Sequence, residues 1–251
     1  NKDCKGQPPS PLELLSLGAL KYLGRKCSFD DLEELTFISE RTHERFFRKF
    51  IEFGDSTLYP EYVQTLNEED NRMQMQMEMM DAAGFAGCCS SSDATHVVIE
   101  MCKFGMRQMH KGWKLNKTAR TYNISVTRWR RILSSTKGHP SRWNDKSIVW
   151  FDVFQIKMKE GRFMPDFEFE LFERDSEGNI VTKKYKGVWS MVDNGYHLWP
   201  TTVPPFTYCT SIEIVRWSQW LESMRKDVEC TIGILKKRWT ILSKGVQAQS
   251  I

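Results

Sequence analysis

The sequence predicts an α/β protein preceded by a small all-helical region. Residues 11–54 carry apolar residues at helical spacing, whereas short runs of β-forming residues appear after Gly87 and alternate with helical stretches. The chain is 40% hydrophobic and 27% charged, which excludes a disordered tail and predicts a packed core. We expect a helix-turn-helix-like region over 1–54, a connector over 55–86 and the α/β domain over 87–251.

Charge and cysteine content narrow the function classes. Lys and Arg number 36 against 32 Asp and Glu, a balance that permits a nucleic-acid partner without indicating one, because DNA binding needs clustered charge. Seven cysteines without a CxxC motif argue against a disulfide framework or zinc site and favour a reducing compartment. No apolar run approaches the roughly 20 residues that cross a membrane. The chain begins at Asn1 rather than Met and stops soon after its last helix, so we expect a C-terminally truncated fragment.

Capping signals divide the N-terminal region into helices. Ser28 and Asp31 have the spacing of a capping box and predict a helix over about 29–37. Ser39 is expected to cap a second helix that ends at Gly54. Two helices joined by a tight turn are a helix-turn-helix candidate.

The second helix of this pair carries a basic face. Arg41, Arg45 and Arg48 fall at i, i+4 and i+7, so they share one side. Such a face suits contacts to DNA phosphates, which we favour over a solvated face or a dimer contact. The side expected to be buried comprises Phe46, Phe47, Phe50 and Ile51.

The connector contains five methionines between Met73 and Met80. They predict either an adaptable contact surface or a helix packed across the domain boundary. We favour the packed helix, because Met mostly fills gaps in cores.

Strand and helix signals alternate through the rest of the chain. Strands are predicted over 95–99, 119–126, 130–134 and 188–192. Helices are predicted over 146–159 and 211–243, and a charged hairpin over 167–186.

The last helix combines an apolar stripe with a charged flank. Arg225, Glu229 and Lys236 each follow a member of the stripe by one residue, so all three lie on the same flank. A carboxylate there can point into a cleft, although an ordinary solvated Arg/Glu pair is the simpler interpretation. The stripe itself consists of Ile214, Trp217, Leu221, Met224, Val228, Leu235, Trp239 and Leu242.

Three acidic residues stand in distinctive settings. Asp93 precedes Thr95-His96 at the start of an apolar run, and Asp193 ends a strand-like run before Gly195-Tyr196. The third acid is Glu229, 35 residues beyond the second (229 − 193 − 1).

This arrangement resembles the DDE superfamily of transposases, and more closely the PIF/Harbinger group and its plant-type branch. Members carry G-x-x-D-x-T-H, D-x-G-Y and R-x(3)-E-x(6)-K motifs in this order. The resemblance spans about residues 10 to 243. Two positions depart from it, since Ser90 stands where the family has Gly and Arg128 where a His is common.

The resemblance implies an RNase H-like catalytic domain that cleaves phosphodiesters and transfers strands with a DDE triad of Asp93, Asp193 and Glu229. It also implies two divalent ions, Mg²⁺ or Mn²⁺. The implied partners are DNA at transposon terminal repeats and a Myb-like accessory protein. A homodimer is a further expectation. The implied location is the nucleus.

The chemistry of strand cleavage agrees with clustered carboxylates. Two ions about 3.5–4 Å apart can activate the attacking oxygen and stabilise the leaving one, and Mg²⁺ prefers oxygen ligands. An Asp on a central strand is held stiffly, so Asp93 is assigned to bridge the ions. Asp193 and Glu229 would each serve one ion.

Several nearby residues have two interpretations. Asp145 is a rival for the second acid, but a supporting or helix-capping role is favoured. His96 could orient Asp93 or contact a phosphate, and a satisfied, partly buried His is at least as consistent. Arg225 and Lys236 could touch phosphates or hold Glu229.

A second basic cluster lies between the first two acids. Arg128, Arg130 and Arg131 interleave with Trp129 and could track the strand being cut, or form an ordinary charged surface. At the level of function, the alternative to a nuclease is a non-catalytic, transposon-derived DNA-binding or scaffold protein. A third hypothesis, an unrelated protein with coincidental acids, is the least favoured.

Overall fold

The computed structural model describes residues 10–63, 71–112, 116–208 and 211–247. The N-terminal region is helical, as predicted, and the predicted capping box is confirmed. Ser28 Oγ accepts from the Asp31 amide at 3.0 Å, and Asp31 Oδ2 accepts from the Ser28 amide at 2.8 Å. The helices of this region are α1 (Leu12–Arg25), α2 (Phe29–Thr36) and α3 (Glu40–Phe53).

The ends of α3 differ from the prediction. Ser39 precedes the helix, but its hydroxyl lies 2.9 Å from Thr42 Oγ1 and makes no cap bond to the backbone. Gly54 does not stop the chain's helical path, because its φ of −59° is helical rather than left-handed. A π-helical turn follows at Gly54–Leu58, and α4 (Tyr59–Tyr62) follows that turn.

The buried side of α3 is only partly as expected. Phe47 packs on Tyr22 at 4.6 Å between ring centroids, whereas Ile51 is exposed. His43 lies on the buried side instead, with its Nε2 2.7 Å from Thr36 Oγ1. The helices are therefore confirmed, while a DNA-binding role for them stays a prediction.

The connector contains α5 (Asn71–Ala82), and three of its five methionines face two apolar clusters. Met73 and Met77 pack with Phe154, and Met80 packs with Leu221. The prediction of a packed helix is confirmed, whereas its position across a domain boundary stays a prediction. The later helices are α6 (Arg107–His110), α7 (Asp145–Val149), α8 (Val153–Lys159), α9 (Ile212–Arg238) and α10 (Thr240–Lys244).

A mixed sheet forms the centre of the α/β domain, in the order β3-β2-β1-β7-β8, with β4 also on β2. The β1/β2 and β2/β3 pairs are antiparallel, and the β1/β7 and β7/β8 pairs are parallel. This arrangement is compatible with an RNase H-like domain. The strands are β1 (Cys88–Val98), β2 (Ala119–Val126), β3 (Ile132–Ser135), β4 (His139–Pro140), β5 (Glu168–Arg174), β6 (Ile180–Lys186), β7 (Trp189–Met191) and β8 (Thr202–Val203).

The first strand begins earlier than its sequence suggests. Its serine-rich start is buried because distant partners satisfy the hydroxyl groups. Ser92 Oγ lies 2.7 Å from Ser125 Oγ and 3.0 Å from Ser190 Oγ, and it accepts from Gln155 Nε2 at 2.8 Å. These bonds let a polar segment form the centre of the sheet.

Two predicted helices are each divided in two. The 146–159 helix is interrupted before α8, where buried Asp152 starts a new helix by accepting from the Phe154 and Gln155 amides at 2.9 and 3.2 Å. The 211–243 helix is interrupted at Trp239, whose φ of −110° and ψ of 91° are not helical. The apolar stripe is buried at its centre, whereas Ile214 is 40% exposed.

The helical region packs against the C-terminal segment. Thr240 Oγ1 donates to the Gly24 carbonyl at 2.6 Å, and Ile241 packs with Tyr22. Lys26 Nζ pairs with Glu100 at 2.6 Å, next to the sheet. Helices α1 and α10 thereby belong to one packed unit.

The predicted hairpin is present as a separate β5–β6 sheet. Three cross-strand ion pairs stabilise it, between Glu168 and Lys186, Glu170 and Lys184, and Glu173 and Lys183. Among the helices in the described ranges, none has the length and apolar character that a membrane span requires.

Candidate active site

The first two acids lie side by side at the centre of the sheet. Ser91 of β1 pairs with Met191 of β7 in a parallel ladder. Asp93 and Asp193 each follow their member of this pair by two residues, so the parallel strands carry both carboxylates toward the same edge. Glu229 comes from α9, which packs on β1 and β2.

Arg225 bridges two of the three carboxylates. Its Nη2 donates to Glu229 Oε1 at 2.8 Å, and its Nη1 lies 3.6 Å from Asp93 Oδ2. The side chain of Arg225 is only 12% exposed, against 22% for Asp93 and 47% for Glu229. Within the described residues, Arg225 Nε and Nη1 are buried without a hydrogen-bond acceptor.

Burial and neighbouring charges raise the pKa of Asp93 to about 6. Burial is the largest cause, and the negative charges of Asp193 and Glu229 add to it. Arg225 and the Ala94 amide oppose the increase, but they do not cancel it. The raised pKa of Asp93 therefore reflects mainly its burial, with the two neighbouring carboxylates as smaller causes.

A tight turn holds Asp193 beside a fourth acid. Asp193 Oδ1 accepts from the Gly195 amide at 2.9 Å, and its carbonyl accepts from the Tyr196 amide at 3.2 Å. A Cβ at Gly195 would lie 2.9 Å from both Asp193 Oδ1 and Asp145 Oδ2. Both carboxylates therefore border the same glycine.

Asp145 is predicted to support the site or to cap a helix, but it does not cap α7. Asn144 does so, because its Oδ1 accepts from the Ser147 amide at 2.9 Å. Asp145 is the first residue of the helix. The carboxylates that raise the pKa of Asp93 are those of Asp193 and Glu229, which favours Asp193 as the second acid.

His96 faces a cavity beside this turn. Its Nδ1 lies 2.8 Å from Thr121 Oγ1 and 3.0 Å from Ser141 Oγ. The cavity has a volume of about 280 Å³ and is also lined by Asp145 and Gly195. A satisfied, partly buried histidine is thus the interpretation that the contacts favour.

Lys236 lies apart from the acids. It lines a separate, mostly apolar cavity of about 330 Å³ with Thr95 and Leu235. Burial lowers its pKa. Of the two cations proposed to hold Glu229, the structure places Arg225 in contact with it.

A family comparison agrees with this geometry. The model of the family described as "DDE superfamily endonuclease" matches residues 92–251, a stretch that contains all three acids and most of the chain. The chain belongs to this family. Searches of curated proteins and of solved structures gave no match.

Membership of the DDE superfamily endonucleases supports nuclease activity and a DNA substrate at the family level. The matched residues begin within β1, so the helical region precedes them.

The basic residues proposed for DNA contact fall into two groups. Arg41, Arg45 and Arg48 are exposed on α3, and Arg48 pairs with Glu44 at 2.6 Å. In the second group, Arg130 is exposed, with a left-handed φ of 64°.

Arg128 and Arg131 are tied into the protein. Arg128 Nη1 lies 2.5 Å from Asp227 Oδ2, and the Arg128 amide donates to Gln76 Oε1 at 2.9 Å. The Arg131 amide donates to Thr127 Oγ1 at 3.2 Å. These contacts indicate a structural role for Arg128.

The donor set fits a hard divalent cation, as in other DDE superfamily endonucleases. Three carboxylates supply oxygen ligands only, and the negative charges of Asp193 and Glu229 are among the causes that raise the pKa of Asp93. In the part of the chain that the structure describes, no three Asp, Glu, His or Cys side chains are close enough to hold an ion as they stand.

Sequence reasoning assigned no role to a buried network beside the site. Asn123 of β2 connects Asp152 to Tyr196, and all three side chains are inaccessible to solvent or nearly so. The sequence signal that could have indicated this network is the Asn123 amide in the middle of a predicted strand. A buried polar group without a hydrogen-bond partner is costly, so this amide needs polar partners.

Proposed function

We propose that the chain is a metal-dependent DDE endonuclease and transposase that cleaves DNA phosphodiesters and transfers strands. The observation that supports this proposal is the convergence of Asp93, Asp193 and Glu229 on two adjacent parallel strands and one helix. The order and spacing of the motifs support the PIF/Harbinger branch.

Each acid has a separate role in this proposal. Asp93 would bridge two divalent ions, and Asp193 and Glu229 would each hold one. The bound ions would help deprotonate the attacking oxygen and stabilise the leaving oxygen. Strand β1 holds Asp93 stiffly and the turn after β7 holds Asp193, whereas the more exposed Glu229 can adjust its position on the helix.

Arg225 would have two functions. It holds Asp93 and Glu229 together through its ion pairs, which reduces their repulsion before ions bind. Its Nε and Nη1 are buried and lack acceptors within the described residues, so its second function, binding a DNA phosphate, would require the guanidinium to turn outward. Asp145 would support the turn at Gly195 from the other side.

DNA contact would extend from the site to α3. Exposed Arg41, Arg45 and Arg48 offer phosphate contacts. Binding to terminal repeats, a Myb-like accessory protein, a homodimer and a nuclear location are further proposals that follow from the family resemblance alone.

The decisive experiment is nicking of supercoiled DNA with and without Mg²⁺. We expect Mg²⁺-dependent nicking by the wild type and none by Asp193→Asn. Glu222→Gln, which removes an exposed acid elsewhere on α9, is the matched control and should keep full activity. Absence of nicking by the wild type together with retained DNA binding would instead identify a non-catalytic DNA-binding protein.

A further inference from the structure

A chain of three buried polar side chains runs from α8 to the turn that carries Asp193. Asn123 Nδ2 donates to Asp152 Oδ2 at 2.6 Å, and the Tyr196 hydroxyl donates to Asn123 Oδ1. Asp152 is fully buried, and Asn123 and Tyr196 are 1% and 3% exposed. Water therefore has little access to these bonds.

Asp152 determines the order of donors and acceptors along these hydrogen bonds. The carboxylate also accepts from the amides of Phe154 and Gln155 and from Ser134 Oγ at 3.3 Å. All of these groups donate to the carboxylate, which therefore acts as an acceptor. The amide nitrogen of Asn123, which is a donor, faces it for the same reason. The amide oxygen then faces Tyr196, which can only donate to it.

Tyr196 is well suited to be a permanent donor. Burial raises the pKa of its hydroxyl well above the usual range, and the negative charges of Asp93 and Asp145 add to this effect. Its ring packs with Val149 and Val192, so the side chain has little freedom to move.

Two members of this hydrogen-bonded chain, Asn123 and Tyr196, adjoin the acids. Asn123 pairs with Ala94 in the β1/β2 ladder, directly beside Asp93. Tyr196 closes the turn that begins at Asp193, through its amide bond to the Asp193 carbonyl. The hydroxyl of Tyr196 therefore connects the turn of the second acid to the strand next to the first.

We propose that Asp152, Asn123 and Tyr196 form a positioning relay that sets the separation of Asp93 and Asp193. None of the three is a metal ligand or contacts the reacting atoms in this proposal. The inference rests on the proposed function, because the spacing it controls is that of the metal-binding carboxylates. Loss of the relay should weaken the affinity for divalent ions, and this loss of affinity should be larger than any accompanying loss of folding stability explains.

The test measures Mn²⁺ binding by calorimetry and, separately, urea unfolding without metal. Tyr196→Phe removes only the hydroxyl and should weaken Mn²⁺ affinity by about 10-fold or more, the size seen when groups that orient metal ligands are removed. Ser125→Ala is the control. It removes a buried hydroxyl from β2, the strand of Asn123, and this hydroxyl bonds to Ser92 rather than to Tyr196. It should leave Mn²⁺ affinity within about twofold.

A reciprocal exchange tests the orientation of the amide. Asn123→Asp and Asp152→Asn should each weaken Mn²⁺ binding, because each breaks the donor–acceptor match. The double variant exchanges donor and acceptor along the same bond and should recover most of the affinity.

The outcomes separate the two proposals. Wild-type protein that binds no Mn²⁺ overturns the proposed function and the relay with it. Wild-type binding that is unchanged in Tyr196→Phe overturns the relay alone. A double variant that binds no better than the single variants also overturns the relay.

Discussion

The Nη1 atom of Arg225 lies 3.6 Å from Asp93 Oδ2, beyond hydrogen-bond length but within the range of an ion pair. The same guanidinium donates to Glu229, so one cation is shared by two of the three acids. In the proposed function, divalent ions and Arg225 would offset the same negative charge. The free energy of unfolding should therefore change when either the charge of Arg225 or that of the carboxylates is altered.

Replacing Arg225 with Gln should destabilise the metal-free protein. The change leaves the partly buried carboxylate of Asp93 without its cation, and we expect a loss of about 2 kcal/mol in unfolding free energy at pH 7.5. Mn²⁺ should restore more stability to this variant than it adds to the wild type, since the ions then replace the missing charge. Urea unfolding with EDTA and with Mn²⁺ measures both effects.

The control for this change is Arg216→Gln, which removes an exposed arginine from the same helix. It should alter the unfolding free energy by less than about 0.5 kcal/mol. Equal losses in the two variants would contradict a specific role for Arg225.

The raised pKa of Asp93 predicts a pH dependence of stability. Its pKa is about 6 in the folded protein and ordinarily 3.8, so folding favours the protonated form. Ionisation of Asp93 therefore destabilises the folded protein. This loss of stability is absent below about pH 4, grows as the pH rises and is complete above about pH 6, where it reaches at most about 3 kcal/mol. The wild type should therefore lose stability relative to Asp93→Asn across this interval in metal-free buffer.

The comparison uses unfolding free energies of both proteins at pH 4, 5, 6 and 7. Parallel curves would show that Asp93 has an ordinary pKa. At pH 7, added Mn²⁺ should stabilise the wild type but leave Asp93→Asn nearly unchanged, because the variant lacks the proposed bridging ligand.

Gly195→Ala should damage function more than stability. The new methyl group would lie 2.9 Å from the carboxylates of Asp145 and Asp193 and force at least one of them to turn. Side-chain rotation is inexpensive, so the unfolding free energy should change by about 1 kcal/mol or less. Displacement of a ligand should reduce Mg²⁺-dependent nicking by about 10- to 100-fold.

Gly233→Ala provides the matched control. This glycine lies in α9 with open space around its Cα, and alanine should stabilise the helix by about 0.5–1 kcal/mol. Its nicking rate should match that of the wild type. A Gly195→Ala protein with wild-type nicking would show that this turn does not position a catalytic carboxylate.

Local signals predicted the elements that depend on local interactions. The capping box of Ser28 and Asp31 is formed within one helical turn, and β2 spans the predicted residues 119–126, most of which are buried. The two aspartates were identified by motif, and their adjacency follows from the parallel β1/β7 pair.

Elements that depend on distant partners were missed for a physical reason. The polar start of β1 is buried only because Ser190, 98 residues from Ser92, completes its hydrogen bonds. Likewise, Asn123 and Asp152 are separated by 29 residues, and neither shows from its neighbours that it will be buried. Periodicity reports on near neighbours and contains no information on such pairs.

The basic face of α3 predicts a salt-dependent contribution to DNA binding. Changing Arg41, Arg45 and Arg48 together to Glu should weaken affinity and reduce the slope of log affinity against log salt by up to about 2.7, the value for three lost phosphate contacts. Lys103, Lys111 and Lys117 are exposed and allow the same charge change away from α3. An equal effect of both triple changes would indicate general charge repulsion rather than a contact at α3.

Arg128 should contribute to stability rather than to DNA affinity. Its guanidinium lies 2.5 Å from Asp227, whose side chain is 13% exposed, and its amide bonds to Gln76, so it joins the turn after β2 to α9 and α5. Arg128→Ala should therefore lower the unfolding free energy by about 1–3 kcal/mol, and a double-mutant cycle with Asp227→Ala should give a coupling above about 0.5 kcal/mol. The nearby exposed Arg130 is the control, since Arg130→Ala should have little effect on stability. Loss of DNA affinity in Arg128→Ala with unchanged unfolding would reverse this assignment, because it would mean that the guanidinium leaves Asp227 to contact phosphate.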